Sequence, residues 1–132
     1  MTGVEATTLI LSKLKASDEV TSKLSSLDKK HTPAMISGIV LPSEWPVTYK
    51  TLNVYVLNES HVLEYFKIRL STNCRANTYA ESRELAYAVQ KTLNRWNVTG
   101  FSVTADVYAT IAPDDADVDN YLTTVELLVR SN

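Results

Sequence analysis

The feature that most restricts what this chain can fold into is a change of hydrophobic period along it. Thr51 to Leu57 and Val62 to Thr72 are rich in β-branched and aromatic residues, the composition of strands. Phe101, Val103, Ala105, Val107 and Ala109 then alternate with Ser102, Thr104 and Asp106, and Tyr121, Thr123, Val125, Leu127 and Val129 alternate again. Between these two groups Leu85, Ala86, Val89, Leu93 and Trp96 recur at helical spacing, with Glu84, Lys91 and Arg95 off the stripe. Period-two runs pack one face of a sheet, and a helical stripe must be buried against another element. The pattern therefore predicts an α+β fold in which an antiparallel sheet lies against helices.

Local signals place the helix starts. Thr78 with Glu81, and Thr2 with Glu5, have capping-box spacing, which predicts a helix from about Tyr79 to Trp96 and another beginning the chain. After Thr2, Val4, Ile10, Leu11 and Leu14 follow helical spacing to about Ala16. Ser17-Asp18-Glu19 restarts the pattern ahead of Val20, Leu24 and Leu27, because a hydroxyl cap and two acids suit the positive end of a helix. Met35 to Leu41 reads as a weak strand interrupted by Gly38, and Pro42 and Pro46 make Ser43-Glu44-Trp45 a loop or edge crossing. Asn58-Glu59-Ser60-His61 is a polar connection of hairpin length between the first two strands. Near it Leu52, Val54, Tyr55, Val56, Val62, Leu63 and Tyr65 are apolar or aromatic on both faces, which makes the hairpin longer than its own core needs. The expected architecture is one domain over residues 1–132: an antiparallel sheet of four to five strands with a long hairpin, packed against two helices.

Composition narrows the function classes. The 132 residues include 13 basic and 15 acidic ones, a formal net charge of −2, which is not the basic footprint of a nucleic-acid binder. A hydrophobic share of 45% with 21% charged residues sets disorder and low-complexity function aside. Only 3 glycines leave little material for phosphate-cradling loops, and no G-x-S-x-G, Walker or dinucleotide fingerprint is present. No run of about 18 apolar residues predicts a membrane span, and the chain reads as soluble and unexported. Cys74, the single cysteine, can form no internal disulfide and no cysteine-rich zinc site.

Three patterns invite a chemical reading. Asp115, Asp117, Asp119 and Glu126 match the ligand spacing of a calcium loop, but Asn120 stands where that loop takes glycine, and strands flank it instead of helices. A solvated acidic loop, Asp114 to Asn120, guarding an edge or meeting a partner is the simpler reading. Neither His31 nor His61 is oriented toward Cys74 by anything local, and Arg75 alone lowers a thiol pKa only modestly, so the cysteine reads as structural. Lys67, Arg69 and Arg75 form a stripe with Tyr65 on one strand face, an ordinary solvated arrangement. Trp45, between two prolines, is a candidate interface anchor. No catalytic set, cofactor site or metal centre is predicted.

One resemblance ties these pieces together. Tyr65-Phe66-Lys67-Ile68-Arg69-Leu70-Ser71-Thr72-Asn73 runs into Thr78-Tyr79-Ala80-Glu81 and then Leu85-Ala86-Tyr87-Ala88-Val89, with a closing strand from Tyr121 to Arg130. This arrangement resembles the tail-terminator (tail-completion) proteins of long-tailed bacteriophages, over most of the chain and in packing and cap positions instead of catalytic ones. The resemblance implies a non-enzymatic virion structural protein, made in the host cytoplasm. It would assemble as a homohexameric ring on the head-proximal end of the tail tube. Its partners would be its own copies, the tail tube protein and head–tail connector proteins, with DNA passing through the lumen without specific binding and no membrane involved. By position, Asn58, Glu59, Ser60, His61 and Trp45 are expected at a subunit or tube interface, and Asp114, Asp115, Asp117 and Asp119 on a lumen or tube face. A head–tail connector of the same assembly, or a small α+β ligand-binding or hydrolytic domain with a concave apolar pocket, are the alternatives.

Overall fold

A computed structural model describes residues 1–28, 31–113 and 120–132. The elements run α1 (Gly3–Lys15), α2 (Asp18–Thr21), β1 (Met35–Ser37), β2 (Thr51–Val62), β3 (Tyr65–Ala76), α3 (Tyr79–Leu93), β4 (Trp96–Val98), β5 (Phe101–Ile111) and β6 (Tyr121–Ser131). The fold is α+β, as the periodicity predicts, but its sheet has six strands in the order β1-β2-β3-β6-β5-β4. The sheet is also mixed. Met35–Ser37 lies parallel to Leu52–Val54, which the long crossing over residues 38–50 permits. The remaining pairs are antiparallel.

Each helix begins where its cap requires. The Thr2, Ser17 and Thr78 hydroxyls accept from the backbone N–H of Glu5, Val20 and Glu81 at 3.2, 3.4 and 3.1 Å. Helix α3 ends at Leu93 instead of Trp96, because Asn94 turns extended and its side chain accepts from the Ala105 N–H of β5 at 3.0 Å. Trp96 then opens the short edge strand β4 and packs edge-on against Phe101, ring centroids 5.4 Å apart.

One face of the sheet carries the apolar core. Leu52, Val54, Ile68, Leu70, Val103, Val125, Leu127 and Val129 lie there beneath Leu85, Ala86, Val89 and Leu93 of α3 and Ala6, Ile10 and Leu14 of α1. In α1 the buried stripe passes through Gly3 and Thr7 rather than Val4, which is exposed. Between α3 and the sheet, Ser82 Oγ donates to the Cys74 carbonyl at 2.9 Å. Thr123 Oγ1 meets Ser82 Oγ at 2.8 Å and Thr110 Oγ1 at 2.7 Å. This chain of hydroxyls pairs Ser82, Thr110 and Thr123 with one another and with the Cys74 carbonyl, as burial of polar groups demands.

The β2–β3 hairpin is longer than the sequence reading allows. Asn58, Glu59, Ser60 and His61 are not the connection; they pair with Arg69, Ile68, Lys67 and Phe66 inside the ladder. The turn lies at Leu63 and Glu64, with Leu63 in the left-handed region at φ 57°. Polarity suggested a loop, but a strand with no layer over it is free to carry polar residues. An irregularity between Val56 and Asn58 leaves Leu57 as an extra residue in β2.

Candidate functional site

Beyond Ser60 the hairpin outruns β6, whose pairing with β3 ends at Lys67. Leu57, Val62, Leu63 and Tyr65 are 44, 64, 95 and 68% exposed, a cluster of apolar surface at a strand tip. Among the described residues, no strand pairs with the outer side of β2 beyond Val54, so Tyr55 to Val62 is a free edge. At the hairpin's base Lys67 of β3 stands opposite Arg130 of β6, two like charges beside Tyr65 and Phe66. Like charges in register disfavour pairing, so this end of the ladder is held by the backbone and by Ser131, whose hydroxyl accepts from the Phe66 N–H at 3.1 Å.

The hairpin is nevertheless tied down at one point. The Glu59 carboxylate accepts from the Gly3 N–H at 3.2 Å at the start of α1, where free N–H groups favour an anion, and from His61 Nε2 at 2.9 Å. The bond to His61, then that to Gly3, holds the Glu59 carboxyl below its ordinary pKa. A side chain at position 3 would meet Glu59 Oε2 and Val56, so the Glu59 carboxylate would have to move aside and Val56 give way to admit one.

On the sheet face opposite the core, β3 and β6 bring together Arg69 and Glu126, which the sequence reading keeps apart. Arg69 Nε donates to Glu126 Oε1 at 2.8 Å, and Nη2 bonds the same oxygen. Arg69, then a hydrogen bond from Tyr108, lowers the Glu126 pKa. The Glu126 carboxylate of the calcium-like spacing is thus held by a strand neighbour. Asp114, Asp115, Asp117 and Asp119 lie outside the described residues. Among the described residues no group of three acidic, histidine or cysteine side chains converges as metal ligands.

Trp45 does not join the hairpin residues in one surface. It is half-buried in the crossing loop, its N–H bonded to the Pro42 carbonyl at 3.1 Å, and it lines a cleft of about 240 Å³ with Thr51 and Arg75. Thr51 and Asn58 are separated by about 23 Å of strand, at about 3.3 Å per residue. Arg75 is half-buried, donates to Asn53 Oδ1 at 2.8 Å, and has its pKa lowered mainly by burial. Cys74 is fully buried, and desolvation raises its thiol pKa, the opposite of a nucleophile's requirement. His31 is exposed with φ 60°, outside any site. Sequence reasoning missed the Gly3–Glu59 tie, the Arg69–Glu126 pair and the Arg75 cleft. Each joins residues far apart in the chain, and only strand register reveals them.

Among the described residues no helix is long and apolar enough to cross a membrane. No family model matches the sequence, and no curated protein matches it. The fold is similar to that of a chain in a solved structure described as the virion of a native gene transfer agent particle. The TM-score is 0.61 at 13% identity, over 92% of this chain and 90% of that one.

Proposed function

We propose that this chain is a non-enzymatic virion structural protein, a tail terminator that closes into a homohexameric ring on the head-proximal end of a tail tube. The observation that carries this reading is the shared fold with a chain of a gene transfer agent virion over nearly the whole of both lengths. The projecting hairpin supports it. A free strand edge flanked by exposed Leu57, Val62 and Leu63 is a surface that a neighbouring subunit can cover, and a head-to-tail contact generates a ring when its rotation closes. In this reading the 1–132 unit is one ring subunit. Asn58 to His61 meet a neighbour or the tube, Trp45 serves a separate contact, and Asp114, Asp115, Asp117 and Asp119 face lumen or tube.

The ring ends tube polymerisation and offers the surface to which head–tail connectors attach, and DNA passes through without base-specific contact. Incubating the purified protein with polymerised tail tube tests this directly. Electron images should show a cap on one tube end and a halt to elongation. Side binding, or elongation unaffected at saturating protein, would sink the terminator role; rings that bind connector proteins and ignore the tube would move the chain to the neck of the same assembly.

A further inference from the structure

The cleft at the far end of β2 from the hairpin tip has a chemistry of its own. Thr51 and Arg75 are directly opposite in the β2–β3 ladder, so their side chains leave the sheet on the same face. Thr51 is 2% exposed, and its hydroxyl has no hydrogen-bond partner among the described residues. Arg75 gives one N–H to Asn53, and among the described residues no carboxylate forms an ion pair with it. A half-buried guanidinium with donors to spare beside an unpaired buried hydroxyl is an arrangement that an anion completes, because buried polar groups left unpaired are costly.

The walls restrict which anion fits. Leu41, Pro42, Trp45 and Pro46 present apolar surface around Arg75. At about 240 Å³ the cleft falls below the roughly 300–1,000 Å³ of sites that enclose a free small molecule, and matches one anchoring side chain. A polyanion needs several cations in a row, and among the described residues lining this cleft Arg75 is the one cation. We infer that this cleft is a docking site for a glutamate or aspartate side chain of a partner protein. Arg75 takes the carboxylate, Thr51 donates from the floor, and Trp45 with its flanking prolines covers the aliphatic part. This inference does not depend on the ring.

The probe is a blocked six-residue peptide of alternating Glu and Leu, titrated into the ¹⁵N-labelled protein, with the Gln-for-Glu peptide and a short DNA duplex as parallel arms. The Glu peptide should shift the Trp45 indole and Arg75 Nε–H signals saturably, and the Gln peptide should bind at least tenfold more weakly. Arg75→Gln should weaken Glu-peptide binding at least tenfold, with Arg75→Lys retaining part of it; if Arg75→Gln does not fold, Trp45→Ala, on a surface loop, serves in its place. Equal binding of the two peptides, shifts confined to other residues, or displacement of the Glu peptide by the duplex would each overturn the proposal.

Discussion

The two exposed edges of this sheet are treated in opposite ways. Along β5, beyond the short pairing with β4, helix α3 and its C-cap supply what a neighbouring strand would. Asn94 Oδ1 takes the Ala105 N–H, Gln90 Nε2 donates to the Ala105 carbonyl at 3.1 Å, and Arg83 Nη1 donates to the Tyr108 carbonyl. Along distal β2 no such side chain or strand is found among the described residues, and the nearby apolar groups are exposed. Unpaired edges template association, and proteins that must stay apart blunt them. In the proposed ring, closing one edge and leaving the other open would give contacts between copies a single direction.

The comparison is broken most severely by taking away the helix that closes β5. Leu85→Ala, in the buried stripe of α3, should cost about 2–5 kcal/mol in urea unfolding. Hydrogen exchange at β5 should rise before that at distal β2, which gains nothing from α3. Asn94→Ala is narrower: it leaves the Ala105 N–H without its acceptor and should cost about 1–3 kcal/mol. It should also add concentration-dependent association in sedimentation velocity, because it reopens the closed edge. If Asn94→Ala stays as monodisperse as the parent, the side chains are incidental and the contrast of edges is lost.

Leu63→Ser at the open end should change unfolding free energy by no more than about 0.5 kcal/mol, since the side chain is 95% exposed, while diminishing ring or tube-cap formation. A large loss of monomer stability would mean the tip packs within its own subunit. The gentlest test is acid. Glu126 has a folded pKa below its ordinary value of 4.5, so its contribution is complete above that pH and disappears as pH falls through the folded value. Thermal melts should therefore show the parent more stable than Glu126→Gln at pH 6, with the two converging as the pH is taken from 4.5 down through the folded value.

What could be read from the sequence was what neighbours in the chain decide. The starts of α1, α2 and α3 follow from Thr2, Ser17 and Thr78, whose hydroxyls act within a single turn. The alternation in β5 and β6 exposes their pairing. The end of α3 was not legible, because Asn94 stops the helix by bonding Ala105, eleven residues on. Nor was β1's parallel pairing, since Gly38 to Lys50 carries no signal of where it returns. Of the candidate interface, the surplus of apolar residues in the hairpin was visible, and its separation from Trp45 was not. Residues 58 to 61 misled because hydrophilicity marks exposure, and an uncovered strand is as exposed as a turn.

Leu57 has a consequence beyond bending β2. On the near side of it, even-numbered residues face the helices, with Leu52, Val54 and Val56 opposite Cys74, Thr72 and Leu70. Past it the phase is inverted, and Glu59, opposite Ile68, faces the helices while Asn58 faces away. Leaving Leu57 out of the pairing thus decides which set of hairpin side chains greets α1 and which greets the outside. Deleting Leu57 would heal the bulge and leave the audiences as they are, with Asn58 opposite Arg69 and Glu59 opposite Ile68 beside Gly3; drawing Leu57 into the ladder with every residue kept would exchange them, offering Asn58 to Gly3 and Glu59 to the outside.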